Sequence, residues 1–220
     1  MKRQPGPFMT IIFACAVAFG ATMATAPRTF AQSKPLAIVA LGDSLSAGYG
    51  LPAEAAFPAK LEKALKAKGH AVEIVNAGVS GDTASAGLDR LDWSIPDGTD
   101  GVIVELGAND MLRGLDPAVP RRAIEEIVER LKARDIPVML AGMVATPNLG
   151  ATYARSFDGL YPEIAEKHDL VLYPFFLDGV AGETNLNLPD GLHPTAQGVE
   201  VIVSRILPVV ERFLATLTKR

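Results

Sequence analysis

The stretch Leu36-Ala37-Ile38-Val39-Ala40-Leu41-Gly42-Asp43-Ser44-Leu45 passes from an unbroken apolar run to a polar turn within ten residues. Six apolar residues without alternation suit a strand covered on both faces, the condition of a parallel sheet between helices. The pattern recurs at residues 102–106, interrupted by Glu105, and at residues 138–141. Val72-Glu73-Ile74-Val75 alternates as an edge strand would, and residues 170–173 supply a fifth strand.

Helical patterns fill the intervals. Residues 57–68 read as a helix closed by Gly69. Asp116-Pro117 supplies an N-cap and a first-turn proline. Beyond it Ile124, Ile127, Val128 and Leu131 mark one face, and Glu126 and Arg130 sit four apart on the exposed side. Residues 151–167 form a weaker helical pattern. Val199, Ile202, Val203, Ile206, Val210, Phe213 and Leu217 make a long terminal stripe, which Pro208 is expected to bend. Alternating strands and helices without a repeat or linker predict one α/β domain over residues 32–220, a doubly wound five-stranded parallel sheet with right-handed crossovers. Its ligand crevice belongs at the carboxyl ends of the strands.

The first residues read differently. Lys2 and Arg3 precede an apolar stretch from Phe8 to Gly20, and small residues follow, with candidate cleavage sites after Ala26 and Ala31. This predicts a cleaved export signal over residues 1–31 and a periplasmic or secreted location. The bond after Ala31 is favoured because Pro27 would sit just past the other site. The apolar stretch is shorter than the about 20 residues a spanning helix needs, so no membrane anchor is expected after processing. Cys15 lies inside the apolar stretch rather than at its end, which argues against lipidation.

The whole chain carries a formal net charge of −4. Residues 32–220 hold 18 basic and 25 acidic residues, a net charge of −7, and no cysteine. That leaves no electrostatic footprint for nucleic acid or an anionic membrane. It also leaves no disulfide, no thiolate nucleophile and no cysteine-based metal site.

Four polar islands carry the chemistry: Gly42-Asp43-Ser44-Leu45, Ser80-Gly81-Asp82-Thr83, Gly107-Ala108-Asn109-Asp110 and Asp190-Gly191-Leu192-His193. The first three begin where predicted strands end. Acyl transfer through serine needs a nucleophile, a base, a group orienting the base, and donors for the oxyanion. Ser44 at a strand-to-helix turn is a candidate nucleophile, although an N-cap serine is the commoner fate of that position. Of the three histidines, His70 and His168 read as surface residues at helix ends. Only His193 has an acid three residues before it and a proline after it. One short loop can set Asp190 against its Nδ1 and leave Nε2 for Ser44. Gly81 and Asn109, with the backbone N–H of Ser44, are candidate oxyanion donors.

Taken together, Leu41-Gly42-Asp43-Ser44-Leu45-Ser46-Ala47-Gly48-Tyr49, Asn76-Ala77-Gly78-Val79-Ser80-Gly81-Asp82-Thr83, Val104-Glu105-Leu106-Gly107-Ala108-Asn109-Asp110 and a late Asp-x-x-His-Pro resemble the SGNH (GDSL) hydrolase family. The likeness is to the branch of periplasmic thioesterase I/lysophospholipase L1 enzymes and bacterial arylesterases, and it spans nearly all of residues 32–220. It implies a flavodoxin-like three-layer α/β/α sandwich and hydrolysis of carboxylic esters and thioesters through an acyl-serine intermediate, without metal or organic cofactor. By that resemblance Ser44 is the nucleophile, His193 the base and then acid, Asp190 its orienting partner, and Gly81 and Asn109 complete the oxyanion hole. Asp43 and Asp110 are left to shaping the loops.

The sequence is compatible with other readings. Carboxylates at strand ends would suit a divalent cation, but no Asp-x-Asp motif or phosphate-cradling loop accompanies them. A carbohydrate O-deacetylase or a non-catalytic exported binding protein could share the fold. The partner expected is a small ester or thioester, and the chain is expected to be a monomer. The segment from Met143 to Tyr153, with Pro147 and Leu149, is expected to overhang the crevice and wall the acyl pocket.

Overall fold

A computed structural model describes residues 34–217, together with residues 1–4 and 6. Most of the export-signal reading, including Cys15 and both cleavage sites, lies outside the described residues. Among the described residues no helix is long and apolar enough to cross a membrane.

The five apolar runs form strands β1 (Leu36–Gly42), β2 (Val72–Gly78), β3 (Gly101–Glu105), β4 (Val138–Ala141) and β5 (Val171–Tyr173). They lie in the order β2-β1-β3-β4-β5, every neighbouring pair parallel. The expected doubly wound sheet is therefore present, with its change of winding direction between β1 and β3. The unalternating runs behave as their composition requires: β3 and β4 are buried throughout, as is β1 from Ile38 onward, whereas the edge strand β2 is half exposed.

Helices α1 (Ser44–Ala47), α2 (Phe57–Ala67), α3 (Ala84–Asp89), α4 (Leu91–Ser94), α5 (Ala108–Leu112), α6 (Ala118–Ala133), α7 (Ala151–Asp158), α8 (Leu160–His168) and α9 (Ala196–Leu217) fill the connections. α2 packs with α9, and α6 with α3 and α8, giving the helical layers that cover the buried strands. Phe57 meets Phe176 edge-on, with ring centroids 4.9 Å apart.

Two local expectations needed revision. The helix over residues 151–167 is two helices, broken at Gly159. Gly159 is a poor helix former, and Pro162 has no N–H to offer the carbonyl of Asp158. α9 continues as one helix through Pro208, with Ile206, Val210 and Phe213 buried on either side of it. Arg130 pairs with Asp92 rather than with Glu126.

The sheet register decides where the site can be. Gly42 lies opposite both Gly78 of β2 and Glu105 of β3, so three strands end at one level. Gly78 also touches the turn that follows β1: a Cβ there would stand 2.3 Å from Ala47 N and 2.8 Å from Asp43 O. Both are backbone atoms, so nothing can yield without moving α1. Gly78→Ala should therefore lower unfolding stability by about 1–3 kcal/mol, the usual range for overpacking, and urea titration against wild type measures it. A neutral substitution would mean that α1 is not seated against β2 in this way.

Candidate active site

His193 lies in a loop between an isolated bridge and α9. Leu188 N donates to His193 O at 2.7 Å, Thr195 N donates to Leu186 O at 2.8 Å, and Asn187 pairs with Pro194. Asn187 is itself buried, its amide donating to Val180 O and Glu183 O. The Thr195 hydroxyl then accepts from Gly198 N at the start of α9. This stitching fixes a loop whose surface is otherwise open to solvent.

Within it the Asp190 carboxylate is used twice. Oδ1 accepts from Leu192 N at 2.9 Å and His193 N at 3.0 Å, and Oδ2 lies 2.7 Å from His193 Nδ1. The backbone N–H groups of His193 and Leu192, followed by the imidazole, bring the Asp190 carboxyl down to about 2. An ionised Asp190 favours the tautomer with the proton on Nδ1, which leaves Nε2 to accept from Ser44 Oγ at 2.9 Å. The ring of Tyr49 lies against the imidazole, centroids 4.4 Å apart and tilted by 34°.

Ser44 opens α1 and is 9 % exposed. Asp43 before it is fully buried. Its Oδ1 accepts from Leu45 N at 3.0 Å, and its Oδ2 from Asn109 Nδ2 at 2.9 Å. Burial, opposed by these two bonds, pushes the Asp43 carboxyl up to about 6. Asn109 gives its second amide hydrogen to Asp82 O at 3.0 Å, so both its donors are engaged in the free protein. Gly107 enters α5 at φ +114, with Tyr161 Oη where a Cβ would point. Only glycine suits that position.

Gly81 also has a positive φ, +89, and its carbonyl accepts from Arg113 Nη2 at 2.8 Å. Arg90 ties the first two islands together. It is buried, and it donates from Nε to Asp82 Oδ2 at 2.6 Å and from Nη2 to Gly42 O at 2.9 Å. Asp110 accepts from Ala84 N at 2.7 Å, anchoring α3 to the third island.

The structure thus brings Ser44, His193 and Asp190 into one hydrogen-bonded line and links Asn109 to the serine turn through Asp43. Pro147 and Leu149 form a separate 3-10 turn, Pro147–Leu149. Leu149 packs against the core and Pro147 is exposed, while neighbouring Thr146 reaches Met111 of α5 with Oγ1 3.5 Å from Sδ. His70 meets Glu211 at 3.0 Å, and His168 is half-buried at the end of α8 with its Nε2 without a hydrogen-bond partner among the described residues, so neither is hydrogen-bonded to this line. Sequence reasoning gave no role to Tyr49, Arg90 or Glu105. Glu105 left the one detectable signal, a charge inside an apolar strand. Arg90 sits at the junction of α3 and α4, one arginine among others, and could not have been singled out.

The raised Asp43 carboxyl has a defined consequence for stability. The folded protein keeps a proton that the unfolded chain releases, so this group's contribution is complete below about 3.8 and is lost as pH rises through about 6. Asp43→Asn removes that titration. The stability of wild type relative to Asp43→Asn should therefore fall as pH rises across this window, as read from urea unfolding at its two ends. A relative rise would show that Asp43 is held below its ordinary value instead.

Residues 40–201 match the GDSL-like lipase/acylhydrolase family. An arylesterase of Vibrio mimicus is 39 % identical over 158 residues, 71 % of this chain and 79 % of its own. Thioesterase 1/protease 1/lysophospholipase L1 of Escherichia coli strain K12 is 36 % identical over 167 residues, 76 % of this chain and 79 % of its own. The crystal structure of AlinE4, an SGNH-hydrolase family esterase, superposes with a TM-score of 0.70 at 51 % identity, covering 83 % of this chain and 98 % of that one. Family model, relatives and fold agree: the chain belongs to the GDSL-like lipase/acylhydrolase (SGNH) family of ester-hydrolysing enzymes.

Proposed function

We propose that the protein is a serine esterase in which Ser44 is acylated, and that it acts on aryl and short-to-medium acyl esters, on thioesters of the same acyl groups, and on lysophospholipids. The observation that carries this reading is the line Asp190 Oδ2–His193 Nδ1, His193 Nε2–Ser44 Oγ, at 2.7 and 2.9 Å. It supplies what a hydroxyl needs to become a nucleophile at neutral pH.

In the first half-reaction Ser44 Oγ bonds to the acyl carbon while its proton passes to His193 Nε2. Asp190 stabilises the resulting imidazolium. The C–O or C–S bond to the leaving group breaks as His193 returns the proton to it. A water then repeats the sequence on the acyl-serine, with His193 as base, and releases the carboxylic acid. Negative charge on the former carbonyl oxygen is met by the backbone N–H groups of Ser44 and Gly81 and the amide of Asn109. Asn109 reaches it by exchanging its bond to Asp82 O.

The side chains around this rim favour an apolar acyl or aryl group. Tyr49, Val79, Leu112, Val144 and Leu192 are all substantially exposed, and they follow the carboxyl ends of β1, β2, β3 and β4 or adjoin His193. Leu149 is proposed to border the far end of the acyl site, with Pro147 fixing the turn that carries it. The arylesterase and thioesterase/lysophospholipase relatives support a broad ester range. Residues 1–31 are proposed to be a cleaved export signal, which gives a periplasmic or secreted enzyme beginning at Gln32.

Hydrolysis of p-nitrophenyl acetate, butyrate and octanoate tests the reading. Ser44→Ala and His193→Ala should each remove nearly all turnover while the far-ultraviolet spectrum is kept. Asn109→Ala should lower kcat by about 10²–10³ if its amide meets the oxyanion. Substantial turnover in Ser44→Ala would sink the acyl-serine route, and a loss under about tenfold would remove Asn109 from the oxyanion site. Leu149→Ala should shift the ratio of octanoate to acetate turnover. An unchanged ratio would place the acyl chain elsewhere.

A further inference from the structure

Glu105 ends β3 directly beneath the serine turn, opposite Gly42 in the register. It is 1 % exposed. Ser46 Oγ, one turn-residue beyond Leu45, donates to its Oε2 at 2.8 Å, while its Oε1 finds no hydrogen-bond partner among the described residues. Both groups lie close against the backbone at Gly42: a Cβ there would fall 2.7 Å from Oε2 and 2.2 Å from Ser46 Oγ. A second carboxyl, Asp43, is buried beside it and already holds Leu45 N and the Asn109 amide. The serine-esterase reading uses neither Glu105 nor Ser46.

Two buried carboxyls this close do not both ionise readily, because each charge raises the other's proton affinity. The hydrogen bonds decide which one does. Asp43 has both oxygens accepting, one from a backbone N–H and one from an amide; Glu105 has one oxygen accepting from a hydroxyl and the other without a hydrogen-bond partner among the described residues. A charge left on the latter would be expensive. Burial first, and then the charge of Asp43, hold the Glu105 carboxyl well above its ordinary range, against the opposing pull of Ser46 and nearby backbone N–H groups. The other titratable groups around the pair do not reverse this. Tyr161 is buried and donates to Leu106 O, Asp110 is an acid, and the guanidinium of Arg90 is spent on Asp82, Ser94 and Gly42 O. His193 acts on Asp43, where it favours the ionised form.

Accepting the serine-esterase reading, we infer that Glu105 is a positioning residue of the acyl-transfer site. It is kept as the neutral acid and grips α1 through Ser46, so that the single negative charge of the Asp43–Glu105 pair stays on Asp43 and holds Asn109 in place. Glu105 touches no reacting atom. It acts on Ser44 through the turn and on Asn109 through Asp43.

Glu105→Gln, Glu105→Ala and Ser46→Ala are compared with wild type in p-nitrophenyl butyrate hydrolysis, and wild type and Glu105→Gln in difference infrared spectroscopy at mildly alkaline pH. Wild type should show a protonated-carboxyl band that Glu105→Gln lacks. Glu105→Gln, neutral and nearly isosteric, should keep kcat within about threefold. Glu105→Ala should lose about 10²-fold in kcat with KM little changed, the size of effect that a nucleophile displaced by ~1 Å produces. Ser46→Ala should fall between them. A wild-type spectrum without the band, a Glu105→Gln as impaired as Glu105→Ala, or a Ser46→Ala with wild-type kcat would each overturn the inference. Should Glu105→Ala not fold, the infrared comparison and the Glu105→Gln and Ser46→Ala kinetics decide alone. Ser44→Ala is run alongside: residual turnover there counts against the serine route itself, whereas the infrared result does not depend on catalysis.

Discussion

The carboxylate of Asp43 joins its own turn to Asn109, 66 residues further along the chain. One oxygen holds Leu45 N at the start of α1, and the other holds the amide of Asn109 in α5. Ser44 sits between Asp43 and the Leu45 N–H that Asp43 holds, so its place relative to Asn109 is set by one buried group rather than by two independent loops. The group is costly to bury charged, which its upward shift to about 6 records. The fold offsets that cost with hydrogen bonds to both oxygens. Removing either bond would leave a buried acceptor unmet and release one of the loops it ties.

That junction is possible because the strands end together. With Gly42 level with Gly78 and Glu105, the turns leaving β1, β2 and β3 start from adjacent points of one rim. Glycine at Gly78 lets the turn after β1 lie directly on β2, and Arg90 closes the remaining gap between Gly42 O and Asp82. The histidine arrives from elsewhere. Its loop precedes α9 and is stitched to residues 186–188 instead of to the sheet, so the base is mounted on a separate support. Tyr49 spans the two supports by lying against His193 from the α1 side.

Much of this was legible in the chain. The unalternating run of β1 implied a strand covered on both faces, and the level ends of parallel strands put the first three islands together. The spacing of Asp190 and His193, with proline after the histidine, was enough to place one against the other. What composition could not express was pairing between residues whose types are ordinary for their positions. Arg90 is one more arginine, between two short helices, until its three donors are seen on Asp82, Ser94 and Gly42 O. Glu105 was visible as an anomaly, a charge at the end of a buried strand, but nothing in the sequence tied it to Ser46, 59 residues away. Gly159 and Pro162 were both readable as helix breakers. The apolar periodicity across them suggested continuity because Phe157, Leu160, Tyr161 and Ile164 stay buried on both sides of the break.

The double engagement of Asn109 bears on how the proposed oxyanion site would discriminate. In the free protein its amide donates to a carboxylate, Asp43, and to a neutral carbonyl, Asp82 O. A neutral hydrogen bond contributes about 0.5–1.5 kcal/mol net, while one to a charged group contributes about 1.5–3. Exchanging the Asp82 bond for a ground-state ester carbonyl would therefore gain little, since one neutral acceptor replaces another. Exchanging it for an oxyanion would gain a charge-assisted bond. An interaction that strengthens only as charge develops lowers the barrier without tightening substrate binding. On this reading the neutral acid at Glu105 serves the same end, because it leaves the charge that steadies Asn109 on Asp43.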